Sequence, residues 1–197
     1  MTTPATPRLP ATPGQTVGPF FGFALPYAGG DTLVGAHHPS AVRLHGTVTD
    51  GHGDPVPDAL VEIWQADEQG NVVQTPGSLL RDGWTFTGFG RAAVDNAGHY
   101  SFTTVAPGPT EEGRAPFFAV AFFARGLMNR LFTRAYLPAE SEDAATALAS
   151  DALLSALPED RRATLLARRG DDGSLVFDIC LQGEHETVFL SYDAPGS

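Results

Sequence analysis

The chain of 197 residues contains no lysine; its 12 basic residues are all arginine, set against 23 acidic ones, for a formal net charge of −11. That balance excludes a nucleic-acid binder, whose footprint is basic. There is one cysteine, Cys180, so neither a disulfide framework nor a thiolate zinc site can be built. No apolar run reaches the roughly 18 residues of a membrane span. The opening MTTPATPRLPATPGQT lacks the charged-then-apolar order of a secretory leader. The expectation is a cytoplasmic protein with no nucleic-acid or membrane partner. Tyrosine (4) and histidine (6) are scarce, a thin stock for a metal site. Gly (22) and Pro (16) are plentiful, the punctuation of many turns and short strands. The length fits one domain with its own core, or one domain with an appendage.

Residues 1–15 are Thr, Pro and Ala without periodicity and cannot fold alone, so they read as an arm, disordered or ordered against a partner. TVGPFFGFALPY (16–27) is too apolar for water and is expected to lie extended over the domain or at a subunit contact. Residues 1–40 together read as an extended arm that packs on a partner or on the core. Strand patterns begin at residue 41. AVRLHGTVTD puts Val42, Leu44 and Val48 on one face. ALVEIWQAD (59–67) is apolar on both faces and reads as a central strand, with Trp64 as a core anchor. HYSFTTV (99–105), FFAVAFFAR (117–125), RLFTRAY (130–136), LVFDICL (175–181) and TVFLSY (187–192) complete the set, FFAVAFFAR as the deepest. RLFTRAY is expected to pair antiparallel with FFAVAFFAR through a GLMN turn. The fold class is therefore all-β, an antiparallel β-sandwich of about seven or more strands over 41–197. Residues 143–169 interrupt it as a helical insertion, with a helix near 143–156 and a better one near 158–169. Pro158 and Glu159/Asp160 suit the start of the second helix, Arg168/Arg169 its end, and Gly170 its stop.

Two stretches carry most of the specificity. GDPVPDALVEIWQADEQG (53–70) is a double-proline turn leading into a strand; GFGRAAVDNAGHYSFTTVAPGP (88–109) contains Asp-x-x-Gly-x-Tyr-x-Phe and then Pro-Gly-Pro. Taken singly they are a core strand and an ordinary hairpin. Their order and spacing, with TPGQTVGPFF in front, resemble the intradiol ring-cleavage dioxygenases, over roughly 12–192. The resemblance implies an enzyme that opens catechols between their two hydroxyls with a non-haem ferric iron, Fe(III). In that family the iron is held by two Tyr phenolates, hard donors that suit the ferric state, and by two His that complete the site.

Set on that pattern, this chain departs from it. The loop that would carry the first Tyr is NVVQTPGSLLRDGWTFTGFG, without tyrosine. Thr110 stands where the second Tyr follows Pro-Gly-Pro. Phe117 and Ala119 stand where His-x-His would project both rings from one strand face. Tyr27, Tyr100, Tyr136 and Tyr192 lie outside the ligand segments. His37 and His38 would point apart, and His45, His52, His99 and His185 read as isolated.

The resemblance is to the hetero-oligomeric branch of the family, and it implies a chain that binds no metal and has no catalytic residue of its own. Its partner would be a homologous β subunit carrying the Fe(III), and the substrate a small aromatic acid. Thr16, Gly18 and Pro19 match an arm that approaches the partner's pocket, and Gly18 would permit close backbone approach. Arg125 matches an arginine near the substrate entrance, where a guanidinium could hold a carboxylate; a subunit-interface salt bridge is its other reading. Arg114 reads as structural, its former pocket filled by Phe117 and neighbouring phenylalanines. Alone, the chain is expected to be poorly soluble or self-associated. Two other functions stay open at this point: a non-catalytic β-sandwich binding or scaffold module, and an active enzyme with relocated metal ligands.

Overall fold

The computed structural model describes residues 16, 18, 20–74 and 81–192. In chain order the strands are β1 (Ala41–Thr49), β2 (Leu60–Trp64), β3 (Phe89–Ala93), β4 (His99–Val105), β5 (Phe117–Phe123), β6 (Leu131–Tyr136), β7 (Arg168–Arg169), β8 (Leu175–Val176) and β9 (Ile179–Cys180). The helices are α1 (Phe21–Ala24), α2 (Glu142–Ser150), α3 (Ala152–Ser155) and α4 (Glu159–Ala163). One sheet runs β4-β1-β8-β7 with β9 also on β1; the other runs β3-β2-β5-β6. The expected sandwich is present, with β8 and β9 adding parallel pairings to β1 in an otherwise antiparallel arrangement.

Alternation explains the core. Leu44, Val48, Phe102, Leu175 and Ile179 of the first sheet meet Val61, Ile63, Phe118, Val120 and Phe122 of the second. β2 is central, between β3 and β5, and β6 pairs antiparallel with β5. A smaller cluster of Ala115, Tyr136, Ala147, Leu154 and Leu165 fixes the helices against the end of β6. Three turns share one design. Asp50, Asp67 and Asp95 each accept two backbone N–H bonds through Oδ1, from residues two and four further on. Each of these turns has a glycine of positive φ at its fourth position, the αL geometry a tight hairpin needs.

Several elements differ from the sequence expectation. β3 was not expected, because GFGRAA carries two glycines and little β propensity; its pairing to β2 overrides that. LVFDICL is not one strand. At Gly46 the Phe177 carbonyl occupies the space a Cβ would need, and the Asp178 carboxylate takes the Thr47 N–H, so the ladder splits into β8 and β9. TVFLSY forms no strand. Its backbone bonds alternate between two neighbours: Thr187 N and Leu190 N donate to the Cys180 and Phe132 carbonyls, while at Val188 side chains take over, Thr164 Oγ1 accepting from its N–H and Thr133 Oγ1 donating to its carbonyl. The first insertion helix is broken at Asp151, whose carboxylate caps α3 by accepting from Leu153 N and Leu154 N. The second helix ends near Ala163, not Arg169. Leu165 and Ala167 are drawn off to bond the Tyr136 backbone, and Arg168/Arg169 form β7, pairing with Asp178 and Glu140. Gly170 therefore closes a β7–β8 turn rather than a helix. Within the segment expected to lie extended, Phe21–Ala24 winds into α1. The expectation for residues 1–15 falls outside the described residues.

Candidate functional site

The outward face of the second sheet is read from its register. Phe89, Trp64, Ala119 and Arg134 form one row across four strands; Arg91, Glu62, Ala121 and Phe132 form the next. Trp64 is thus no core anchor. It lies on the outer face two residues from Glu62, is 45% exposed, and rests on the Phe89 ring at 4.7 Å. The parity with Glu62 was the sequence signal that could have placed it. β5 is buried more deeply on one face: Phe118, Val120 and Phe122 point inward, while on the other side Ala121 is covered but Phe117, Ala119 and Phe123 are only half-buried.

At the end of this face, where β2 leaves the sheet and β5 enters it, lies a cavity of about 170 Å³. Trp64, Ala66, Val72, Thr110, Phe117 and Ala119 are among its lining residues. Thr110, Phe117 and Ala119, which the sequence placed at ligand positions, therefore share one site. The expectation that phenylalanines fill it is corrected: Phe117 forms a wall and space remains. Phe117 is held by the Arg134 guanidinium, 4.2 Å from its ring centroid, and by the Tyr136 ring at 5.3 Å. Arg134 Nη1 donates to Tyr136 Oη (3.0 Å), which donates to Asp151 Oδ1 (3.1 Å). Arg134 and Asp151 were not singled out from sequence, since only the β6 register and the break between α2 and α3 bring them here.

The contact between α1 and the sheet, and Arg125, both lie at the opposite end of β5. Thr16 Oγ1 accepts from Gly18 N at 3.3 Å, and Gly18 has φ 75°. Pro19 is outside the described residues. A few residues on, Phe21 stacks on Phe123 at 6.3 Å. β5 ends at Phe123, so Arg125 escapes the strand parity that would have aimed it at the cavity. It stands 70% exposed, with Nε donating to Asp58 Oδ2 at 2.8 Å. Arg114 is exposed beside Glu111, at 3.2 Å.

A family model described as Dioxygenase matches residues 18–125. The chain is 36% identical over 198 residues to the protocatechuate 3,4-dioxygenase alpha chain of Burkholderia cepacia, covering 92% of this chain and 98% of that one. The chain belongs to the intradiol dioxygenases. It is 37% identical to the alpha chain of the Pseudomonas putida enzyme, covering 93% of this chain and 98% of that one. The Burkholderia cepacia beta chain is 31% identical, over 74% of this chain and 66% of that one. Among solved structures the fold is like that of the dioxygenase domain of a carbohydrate-binding fusion protein from Streptomyces sp. SirexAA-E. That match has TM-score 0.55 and 24% identity, over 87% of this chain and 98% of that one.

An intradiol site needs phenolate and imidazole donors, and this cavity does not fit the iron. Among the described residues its lining side chains offer carbon, one hydroxyl (Thr110) and one amide (Gln65). The Gln65 amide is already engaged with Ala66 O, Val105 O and Thr104 Oγ1. Three tyrosines elsewhere are poor phenolates. Burial pushes Tyr136 up to about 12 and raises Tyr100 and Tyr27 above the usual phenol value. Among the described residues no three His, Cys, Asp or Glu side chains gather as metal ligands. One expectation is corrected here: His45 and His99 are not isolated. Pairing of β1 with β4 sets His45 Nδ1 3.3 Å from His99 Nε2. Desolvation, then the nearby Arg43 and His99, lower the His45 pKa.

Proposed function

We propose that this chain is the iron-free α subunit of a protocatechuate 3,4-dioxygenase and works in complex with a homologous β subunit that holds the Fe(III). The observation that supports this best is an apolar cavity at the ligand positions of a chain that spans 98% of the alpha-chain relatives. The assembled enzyme would insert both atoms of O₂ as it breaks the ring bond between the two hydroxyl-bearing carbons, giving 3-carboxy-cis,cis-muconate. Ring opening belongs to the partner. This chain's part is to stabilise that partner and complete its substrate pocket.

In this reading Thr16, Gly18, Pro19 and Arg125 line the partner's pocket. Arg125 offers a charge whose present partner is easily given up, because an exposed pair such as Arg125–Asp58 contributes little. Its Nε is used by Asp58, and the terminal nitrogens remain for a carboxylate, which a guanidinium can hold bidentately. A chain of net charge −11 repels an aromatic acid at long range, so attraction must come from such local charges.

Co-expression with a β homologue bearing the Tyr and His ligands tests the proposal, read out by iron content and oxygen uptake on protocatechuate. Activity is expected only in the complex. Arg125→Ala should raise KM roughly ten-fold or more, the loss of a charged hydrogen bond. Stoichiometric iron and turnover by this chain without a partner would overturn the subunit reading. An unchanged KM would return Arg125 to the protein surface.

A further inference from the structure

The cavity beside Phe117 is made for carbon. Trp64 and Phe117 lie diagonally across the β2–β5 pair, and the small Ala119, directly opposite Trp64, leaves the gap between them. Ala66, Val72 and Val73 close much of the rest, and among the described residues no ionisable side chain lines it. The volume is about 170 Å³. An enclosed apolar cavity of about 150 Å³ accepts a benzene-sized guest; this one is of similar size but opens to solvent beside the exposed Trp64 and Val72, so a guest would displace water from apolar walls.

We propose that this cavity is a binding site for a small neutral molecule with one aromatic ring, of the size of benzene or phenol. The inference concerns a space inside this chain and stands without the subunit reading. Two aromatic walls favour a ring over an aliphatic guest, because offset and edge contacts between rings add to their area burial. Neutrality follows from the lining. A carboxylate would leave water with no cation to meet it, which is costly. Arg134 is already committed to the Phe117 ring and to Tyr136. A ring hydroxyl is acceptable at the mouth, where the exposed Thr110 side chain can meet it.

The walls are set before a guest arrives. Phe117 is clamped between Arg134 and Tyr136, and Tyr136 is tied through Asp151 to the start of α3. Trp64 leans on Phe89. Pre-set walls spare the guest the cost of ordering them, and a guest of about seven heavy atoms should bind with a dissociation constant on the order of 0.1–1 mM.

The probes are 4-fluorophenol and 4-fluorobenzoate, titrated into the full-length chain at neutral pH and followed by fluorine NMR. Trp84 is 90% exposed, so a Trp84→Phe chain leaves Trp64 as its only tryptophan and reports on the cavity through emission. Saturable binding of the phenol is expected, with Trp64 emission changing at the same midpoint and the benzoate at least ten-fold weaker. Ala119→Leu, which fills the gap, should weaken the phenol at least ten-fold. Absence of saturation below about 10 mM would overturn the proposal, being well above the range expected of a ring this size. So would equal binding of the benzoate, or saturation that leaves Trp64 emission unmoved.

Discussion

Arg91 and Glu62 show how one outward-facing pair anchors the entering chain. Arg91 Nη2 lies 2.6 Å from Glu62 Oε1, with the side chains only 12% and 13% exposed. Arg91 Nη1 also donates to Leu25 O at 2.6 Å, and its guanidinium lies 5.6 Å from the Tyr27 ring centroid. The pair therefore ties β2, β3 and the segment after α1 together. Removing one member of a pair this buried strands the other's charge, which costs about 3–5 kcal/mol. Glu62→Gln is expected to destabilise the chain by that order in denaturant unfolding, and the double variant Glu62→Gln/Arg91→Met by less than the two single changes combined. Additive losses would show that the two side chains do not act as a unit. At this scale the sequence was only partly legible. The GFGR motif marked Arg91 as part of a family pattern, but nothing local announced that its partner would come from β2.

Among elements, the repeated Asp-x-x-Gly turns make a pH prediction. Backbone N–H donors, His52 and His99 first among them, hold Asp50 and Asp95 below the ordinary aspartate value of 3.8. Desolvation works against Asp67, but the Asn71 side chain and turn N–H groups outweigh it and lower it too. Asp82, bonded by Thr85 and Trp84, is lowered to about 2. A carboxyl whose folded value is depressed stabilises the fold fully above its unfolded value and loses that contribution as pH falls through the folded one. The melting temperature should therefore be unaffected by these groups between pH 7 and 5, then fall below about pH 4. Asp95→Asn keeps the acceptor but does not titrate, so its acid decline should be shallower; an unchanged slope would remove this turn from the account. The same turns made the hairpins readable, because the Asp and Gly positions are local chemistry. β3, the split between β8 and β9, and the early end of α4 were not readable. Each is decided by a partner far along the chain: β2 for Phe89–Ala93, Gly46 for Phe177, and the Tyr136 backbone for Leu165 and Ala167. The candidate cavity follows the same division. Its apolar residues could be named in advance, but whether they close on one another or leave a space depended on packing.

For the whole molecule, the surface carries opposing signals. A net charge of −11 favours solubility, yet Phe20 and Phe23 are 77% and 87% exposed. Phe20 is the N-cap of the one-turn α1 and Phe23 lies three residues on within it, so the two share a face. Phe21 turns the other way and stacks on Phe123, pinning the helix to the end of β5. That arrangement holds two large rings in water at the end of the molecule where Arg125 also stands, which is how a partner-binding anchor is built. If the subunit reading holds, Phe20→Ser/Phe23→Ser should change the unfolding free energy of the isolated chain by no more than about 0.5–1 kcal/mol, since exposed side chains contribute little. The same variant should weaken assembly with the β homologue at least roughly ten-fold, the effect of losing an aromatic anchor worth more than 1 kcal/mol. It should also reduce self-association of the chain by itself. Sedimentation of the free chain and of the mixture measures both. Assembly at wild-type strength would move the interface away from α1, to the aromatic outer face of the second sheet around Trp64 and Phe132.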